Sequence, residues 1–241
     1  MPFLRYLAAA LFVVSLPVFL VTANIRWLAG DIAYYEHGFR EYNSDQRTGL
    51  SFAELDEAGQ RVIDYFEDDS TTLRIIVNVD GAEESLFNAR ETEHMEDVKG
   101  LMRAMFRANE IALAVLISYV AGAAIWAGDR SIRGLAMLAL TGIAFGVAVV
   151  GFIGAFALTG FDEAWNTFHE IAFQNDLWQL DPDTDRLIQM FPEPFWEEAT
   201  FIVAGLTLAQ ATLIVVLSLG YLVFAREPRG ASPSPAAEPA G

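Results

Sequence analysis

The sequence predicts an integral membrane protein of all-α class. Its four transmembrane helices form a bundle, and a small extracytoplasmic α+β cap sits on top. Three observations carry this reading. Four apolar runs, at 6–23, 111–127, 135–158 and 199–225, contain no Asp, Glu, Lys or Arg. Each has close to the ~20 residues that a helix needs to cross about 30 Å of hydrocarbon, and lipid allows single segments to cross only as helices. Arg5, Arg130, Arg133, Arg226 and Arg229 all fall on short segments at one face, which assigns that face, with both termini, to the cytoplasm. The acidity collects on the other face. Residues 29–107 carry 18 acidic against 8 basic side chains, and 159–198 carry 10 against 1, in a chain of net charge −17.

The elements follow in order. Transmembrane helix 1 occupies 1–28. Val21-Thr22-Ala23 resembles a signal-peptide cleavage site, but the apolar run is long for a signal sequence, so it reads as a retained anchor. Residues 29–107 form the extracytoplasmic α+β segment. Within it, Ile32–Tyr35 reads as a short strand, and Ser51-Phe52-Ala53-Glu54 as a capping box. Phe52, Leu55, Val62, Ile63 and Phe66 recur at helical spacing to about Glu67. Thr72–Val79, Asp80-Gly81 and Glu84–Phe87 read as a hairpin with a two-residue turn. From Arg90 the pattern turns helical and runs into transmembrane helix 2, at 108–128. Helix 3 spans 132–158, and its Gly142-x-x-x-Gly146 pair predicts close helix packing. An acidic, aromatic loop follows at 159–198, then helix 4 at 199–225. The tail 226–241, rich in Pro, Ala, Ser and Gly, reads as disordered cytoplasmic chain.

Composition narrows the chemistry. The absence of cysteine excludes a thiol nucleophile, a disulfide framework and a cysteine metal site. An acidic exterior argues against nucleic acid as a partner, because phosphate binding needs a basic surface. No His-Glu-x-x-His, Gly-x-Ser-x-Gly, phosphate loop or dinucleotide fingerprint occurs. What stands out is histidine. Of three, His94 lies just before an apolar run and His169 just after another, so both are expected at the outer ends of spans. Imidazole titrates near neutrality, which suits proton transfer on a lipid-linked substrate. Helical spacing puts Glu91 and Asp97 on the face of His94, where a carboxylate would fix its tautomer. His37, in Tyr35-Glu36-His37-Gly38, reads as an exposed or structural residue.

Two blocks extend this reading. One is Leu86-Phe87-Asn88-x-Arg90-Glu91-x-x-His94-Met95-x-Asp97-Val98-Lys99. The other runs from Phe168-His169-Glu170 through Asn175-Asp176-x-Trp178 to Asp181-Pro182-x-Thr184-Asp185 and Phe191-Pro192. Together with Tyr42-Asn43, the Leu55–Tyr65 helix and the four spans, they resemble the lipoprotein intramolecular transacylase family, Lit. The resemblance implies an enzyme of the bacterial cell membrane that acts on diacylglyceryl-modified lipoproteins. It would move the sn-2 acyl chain from glycerol to the α-amino group of the N-terminal cysteine, giving the lyso-form. The resemblance also implies that His94 and His169 are the catalytic pair, with no cofactor. Asn88, Arg90, Asn175 and Trp178 are candidate oxyanion donors or positioning groups, with Glu91 and Asp97 in support. Two other readings remain open at this stage. One is a metal-dependent membrane lipid hydrolase or acyltransferase, with His94, His169 and Glu91 or Asp97 as ligands. The other is a membrane-anchored binding or sensor protein without catalysis.

Overall fold

A computed structural model describes residues 2–79, 81–126, 130–157 and 160–224. It is mostly helical. Four of its helices are long and apolar enough to cross a membrane: α1 (Pro2–Ala29), α5 (Ala89–Trp126), α6 (Arg130–Ala157) and α9 (Glu193–Phe224). Between them lie α2 (Ile32–Glu41), α3 (Ser44–Thr48), α4 (Phe52–Glu67), the strands β1 (Ile76–Val79) and β2 (Ala82–Ser85), and the short helices α7 (Phe161–Ala172) and α8 (Arg186–Met190).

Among the long helices, α1 is the hub and packs on α5, α6 and α9. The small residues of α6 make the approach possible. A Cβ added at Gly146 would stand 2.6 Å from Pro17 Cβ, and one at Gly142 would stand 3.1 Å from Val13 O. Polar side chains add directional ties in this apolar setting. Asn24 of α1 and Gln210 of α9 exchange amide hydrogen bonds (Nδ2 to Oε1 3.0 Å, Nε2 to Oδ1 3.1 Å). Asn24 Nδ2 also donates to Thr207 Oγ1. On the other side, Asn109 of α5 donates to Thr22 Oγ1 at 3.1 Å.

The shorter elements form a second core. The capping box at the start of α4 is present: Glu54 N donates to Ser51 Oγ and Ser51 N donates to Glu54 Oε2. The apolar face of α4 (Leu55, Ala58, Val62, Ile63, Phe66) is buried. The hairpin is also present, antiparallel, with Val79 opposite Ala82 and Gly81 at φ 88°. Asp80 of the expected turn lies outside the described residues, as does the tail from 225 onward.

Ile32–Tyr35 is a correction. It opens helix α2, not a strand. Asp31 caps the helix by accepting Ala33 N at 3.1 Å, and Tyr34, Tyr35, Gly38 and Phe39 form one buried helical stripe. Four apolar residues do not distinguish period 2 from period 3.6. The cap and the stripe beyond Tyr35 decide for helix.

This core draws on both acidic segments. Leu187, Met190, Phe191 and Phe195 pack into one cluster with Tyr35, Phe39, Leu55, Tyr65, Leu86 and Met95. Ser44 Oγ donates to Met190 O at 3.0 Å, and Tyr34 OH donates to Phe195 O. The two segments therefore fold as one layer against the charged upper part of α5. His94 lies in that upper part, well before the apolar stretch that begins at Ile111.

Candidate active site

Helix α5 begins with a reciprocal cap. Glu91 N donates to Asn88 Oδ1 at 3.0 Å, and Asn88 N donates to Glu91 Oε2 at 2.7 Å, an Asn counterpart of the Ser/Thr capping box. The cap is tied across the chain. Glu91 Oε1 accepts Leu187 N at 2.6 Å, and Asn88 Nδ2 donates to Asp185 Oδ1 at 2.8 Å. Asp185 Oδ2 in turn accepts Asp181 N at 2.7 Å. Burial pushes the Glu91 carboxyl up, and the two backbone N–H groups partly offset this. Glu91 is 1% exposed, and its two oxygens serve these amides; the expected tautomer-fixing contact to His94 is not made. Glu91→Ala would lose the cap and leave the buried Leu187 N–H unpaired. The expected cost is about 2–4 kcal/mol, read as a lower midpoint of thermal unfolding in detergent, with a smaller loss for Glu91→Gln.

One turn further, His94 points inward from α5, while His169 points inward from the last turn of α7. Their ring centroids are 6.2 Å apart at 37°, and the two residues are 6% and 7% exposed. The pair that the sequence placed at span ends is therefore brought together. Phe173, at the end of α7, contacts both rings, with centroids 5.1 Å from His94 and 5.6 Å from His169. Around His169 stand Trp165 (4.4 Å, edge-on), Phe168 (5.2 Å) and Trp178 (5.0 Å, stacked at 29°). Trp165 also stacks on Trp196 of α9 at 5.3 Å, which secures α7 to the rest of the fold.

The hydrogen bonds set the chemistry. His169 Nδ1 lies 2.8 Å from Trp165 O. A carbonyl can only accept, so Nδ1 carries the hydrogen and the neutral ring presents Nε2 as a bare lone pair. A main-chain carbonyl here takes the orienting part that a carboxylate plays in hydrolase triads. His94 Nδ1 is buried without a hydrogen-bond partner. Burial, reinforced by the neighbouring His169 and opposed by Asp97, pushes His94 down to about 4. Burial lowers His169 too, against the Trp165 carbonyl, which favours the charged ring. Both rings are therefore neutral at pH 7.

The other candidates serve this frame. Asp97 accepts Asn175 Nδ2 at 2.8 Å. Arg90 donates to the carbonyls of Asp176 and Leu177. Asn88, Arg90 and Asn175 thus spend donors on holding the loop, and Trp178 stacks. His37 stands apart on α2, half-exposed and 3.3 Å from Glu198. Two residues stand in the sequence blocks without having been singled out. Asp185 anchors the Asn88 cap from its place before helix α8. Lys99 is buried, bonded to Asp68 at 2.8 Å and over the Tyr65 ring at 4.0 Å. This holds α5 to the end of α4.

Comparison with known proteins decides the family. Residues 10–196 match the family of lipoprotein intramolecular transacylase Lit. The chain belongs to the Lit family. The fold is similar to the crystal structure of the membrane-integral Lit from Bacillus cereus, with a TM-score of 0.71 at 18% identity, covering 92% of this chain and 97% of that one. A histidine-to-arginine variant of the same protein gives a TM-score of 0.69 at 16% identity, over 92% and 93% of the two chains. An uncharacterised protein of Aquifex aeolicus (strain VF5) is 29% identical over 129 residues, 54% of this chain and 55% of that protein. The chain thus spans about half the length of this curated relative.

Proposed function

We propose that this Lit-family protein is an intramolecular transacylase. It moves the sn-2 acyl chain of a diacylglyceryl-cysteine lipoprotein to the α-amino group of that cysteine, and yields the lyso-form lipoprotein. The observation that carries the reading is the pair of buried, neutral imidazoles 6.2 Å apart, one of them held in a single tautomer by Trp165 O. The four long helices would cross the cell membrane. The arginine-bearing ends would lie in the cytoplasm and the histidine pair at the outer interface. The acidic outer layer suits a lipid and lipoprotein partner rather than nucleic acid.

The chemistry balances within one substrate. The amine nitrogen forms a C–N bond to the ester carbonyl as His169 Nε2 takes the amine proton. The C–O bond then breaks, and the imidazolium returns that proton to the glyceryl oxygen, leaving amide and alcohol. His94, which stays neutral, offers a ring N–H to the developing oxyanion, as neutral imidazoles can when their basicity is depressed. Ring centres 6.2 Å apart are close enough for both imidazoles to serve one reacting group. Donor and acceptor share one molecule, so positioning supplies much of the remaining rate.

The test is mass spectrometry of lipoprotein N-terminal peptides from a host without lyso-form products that expresses this chain. N-acyl, S-monoacylglyceryl cysteine is expected. Its absence despite membrane-inserted protein would overturn the reading.

A further inference from the structure

Residues 175–178 cross the upper part of α5 as a strap, fixed on both sides of His94. Four residues before His94, Arg90 donates to the carbonyls of Asp176 and Leu177. Three residues after it, Asp97 accepts from Asn175 Nδ2 at 2.8 Å. Asn175 uses both ends of its side chain, because its Oδ1 also accepts Leu177 N at 3.1 Å and folds the strap into a tight turn. The turn delivers Trp178 onto the His169 ring at 5.0 Å. The histidines beneath are less than a tenth exposed, whereas Asn175 and Arg90, which hold the strap, are on the surface.

We infer that Asn175 and Arg90 are positioning residues that act through Trp178. They hold the 175–178 strap closed over the histidine pair, and the strap must lift for an acyl substrate to reach it. The activity readout rests on the transacylase reading; the accessibility readout does not. A carboxylate-bound amide hydrogen bond is among the stronger ones, and its loss shifts an opening equilibrium by about tenfold. Asn175→Asp is the sharp probe. Its carboxylate still accepts Leu177 N, so the turn survives, but it cannot donate and it meets Asp97 as a like charge.

The experiment is histidine modification by diethyl pyrocarbonate on the full-length protein in detergent, resolved by peptide mass spectrometry. Half-exposed His37 is the reference within each molecule. In the wild type, His94 and His169 are expected to react far more slowly than His37. Asn175→Asp should speed both about tenfold relative to His37. Asp97→Asn, whose amide oxygen still accepts Asn175, should keep the wild-type ratio. The double variant Asp97→Asn/Asn175→Asp rebuilds the bond in reversed polarity and should return to that ratio. Arg90→Gln, which removes the other tie, should raise reactivity as Asn175→Asp does, and decides the matter if Asn175→Asp does not fold. With a diacylglyceryl-cysteine lipopeptide, easier opening should lower KM in Asn175→Asp while the loosened Trp178 lowers kcat, and both should recover in the double variant. An unchanged ratio in Asn175→Asp, or no recovery in the double variant, overturns the strap. A protein without transfer activity that still shows these ratios would overturn the proposed reaction and keep the strap.

Discussion

Alanine at His169 is expected to lower acyl transfer by roughly 10²–10⁴-fold, the range that a positioned general base contributes. The base is singled out by its surroundings. Trp165 O fixes the hydrogen on Nδ1, so the lone pair on Nε2 is always available, and Trp178 and Trp165 hold the ring in place. His94→Ala removes the N–H offered to the oxyanion and should cost about 10²–10³-fold, as loss of one oxyanion donor does elsewhere. The two groups serve one transition state, so their effects will not add. The double variant should be little worse than the more damaged single one. His37→Ala is the control. That residue is half-exposed on α2 beside Glu198, and its removal should leave transfer unchanged. The measurement is the rate of N-acyl product from a diacylglyceryl-cysteine lipopeptide, at matched protein level. Full activity in both His94→Ala and His169→Ala would sink the histidine mechanism.

How much of this was readable from residues alone follows from the range of each signal. Local signals were legible. The Ser51/Glu54 box, the pairing of the two hairpin strands and the helix read from Arg90 onward each depend on neighbours within a few positions, and each recurs in the structure. The small-residue pair at Gly142 and Gly146 was legible because only a close partner explains it, although it did not reveal that the partner was Pro17 of α1. The strand assigned to Ile32–Tyr35 failed because its evidence was four residues long. Long-range facts were not legible. The carboxylate of Glu91 shares a helical face with His94, yet it caps Asn88 and reaches Leu187, nearly a hundred residues on. The group that fixes the His169 tautomer is a main-chain carbonyl, which leaves no mark on residue identity. The hydrogen bond from Asn175 to Asp97 likewise joins residues 78 positions apart.

The rate of transfer is expected to fall with acid at a slope of one through pH 6.5, with no second break at the ordinary histidine pKa. The attacking group is an α-amine, which ordinarily titrates at about 7.7–8.0. Below that pH its protonation alone lowers kcat/KM tenfold per pH unit. A histidine base at about 6.5 would make the loss a hundredfold per unit below that value. Burial lowers His169 from its ordinary value and holds His94 at about 4, so the slope stays at one as the pH passes 6.5 and any steepening is displaced to lower pH. The sign is fixed by linkage. A buried imidazole whose folded pKa is depressed contributes stability above its unfolded value, and this is lost as pH falls from about 6.5 through about 4. Acid should therefore weaken the fold, by about 3 kcal/mol for a shift of this size at His94. The check is log kcat/KM against pH from about 5 to 7.5 on the lipopeptide, paired with thermal unfolding over the same range. Steepening at 6.5 would mean that the closed, water-poor pocket does not govern these rings in turnover. A slope of one through pH 6.5 is the result that a buried neutral pair requires.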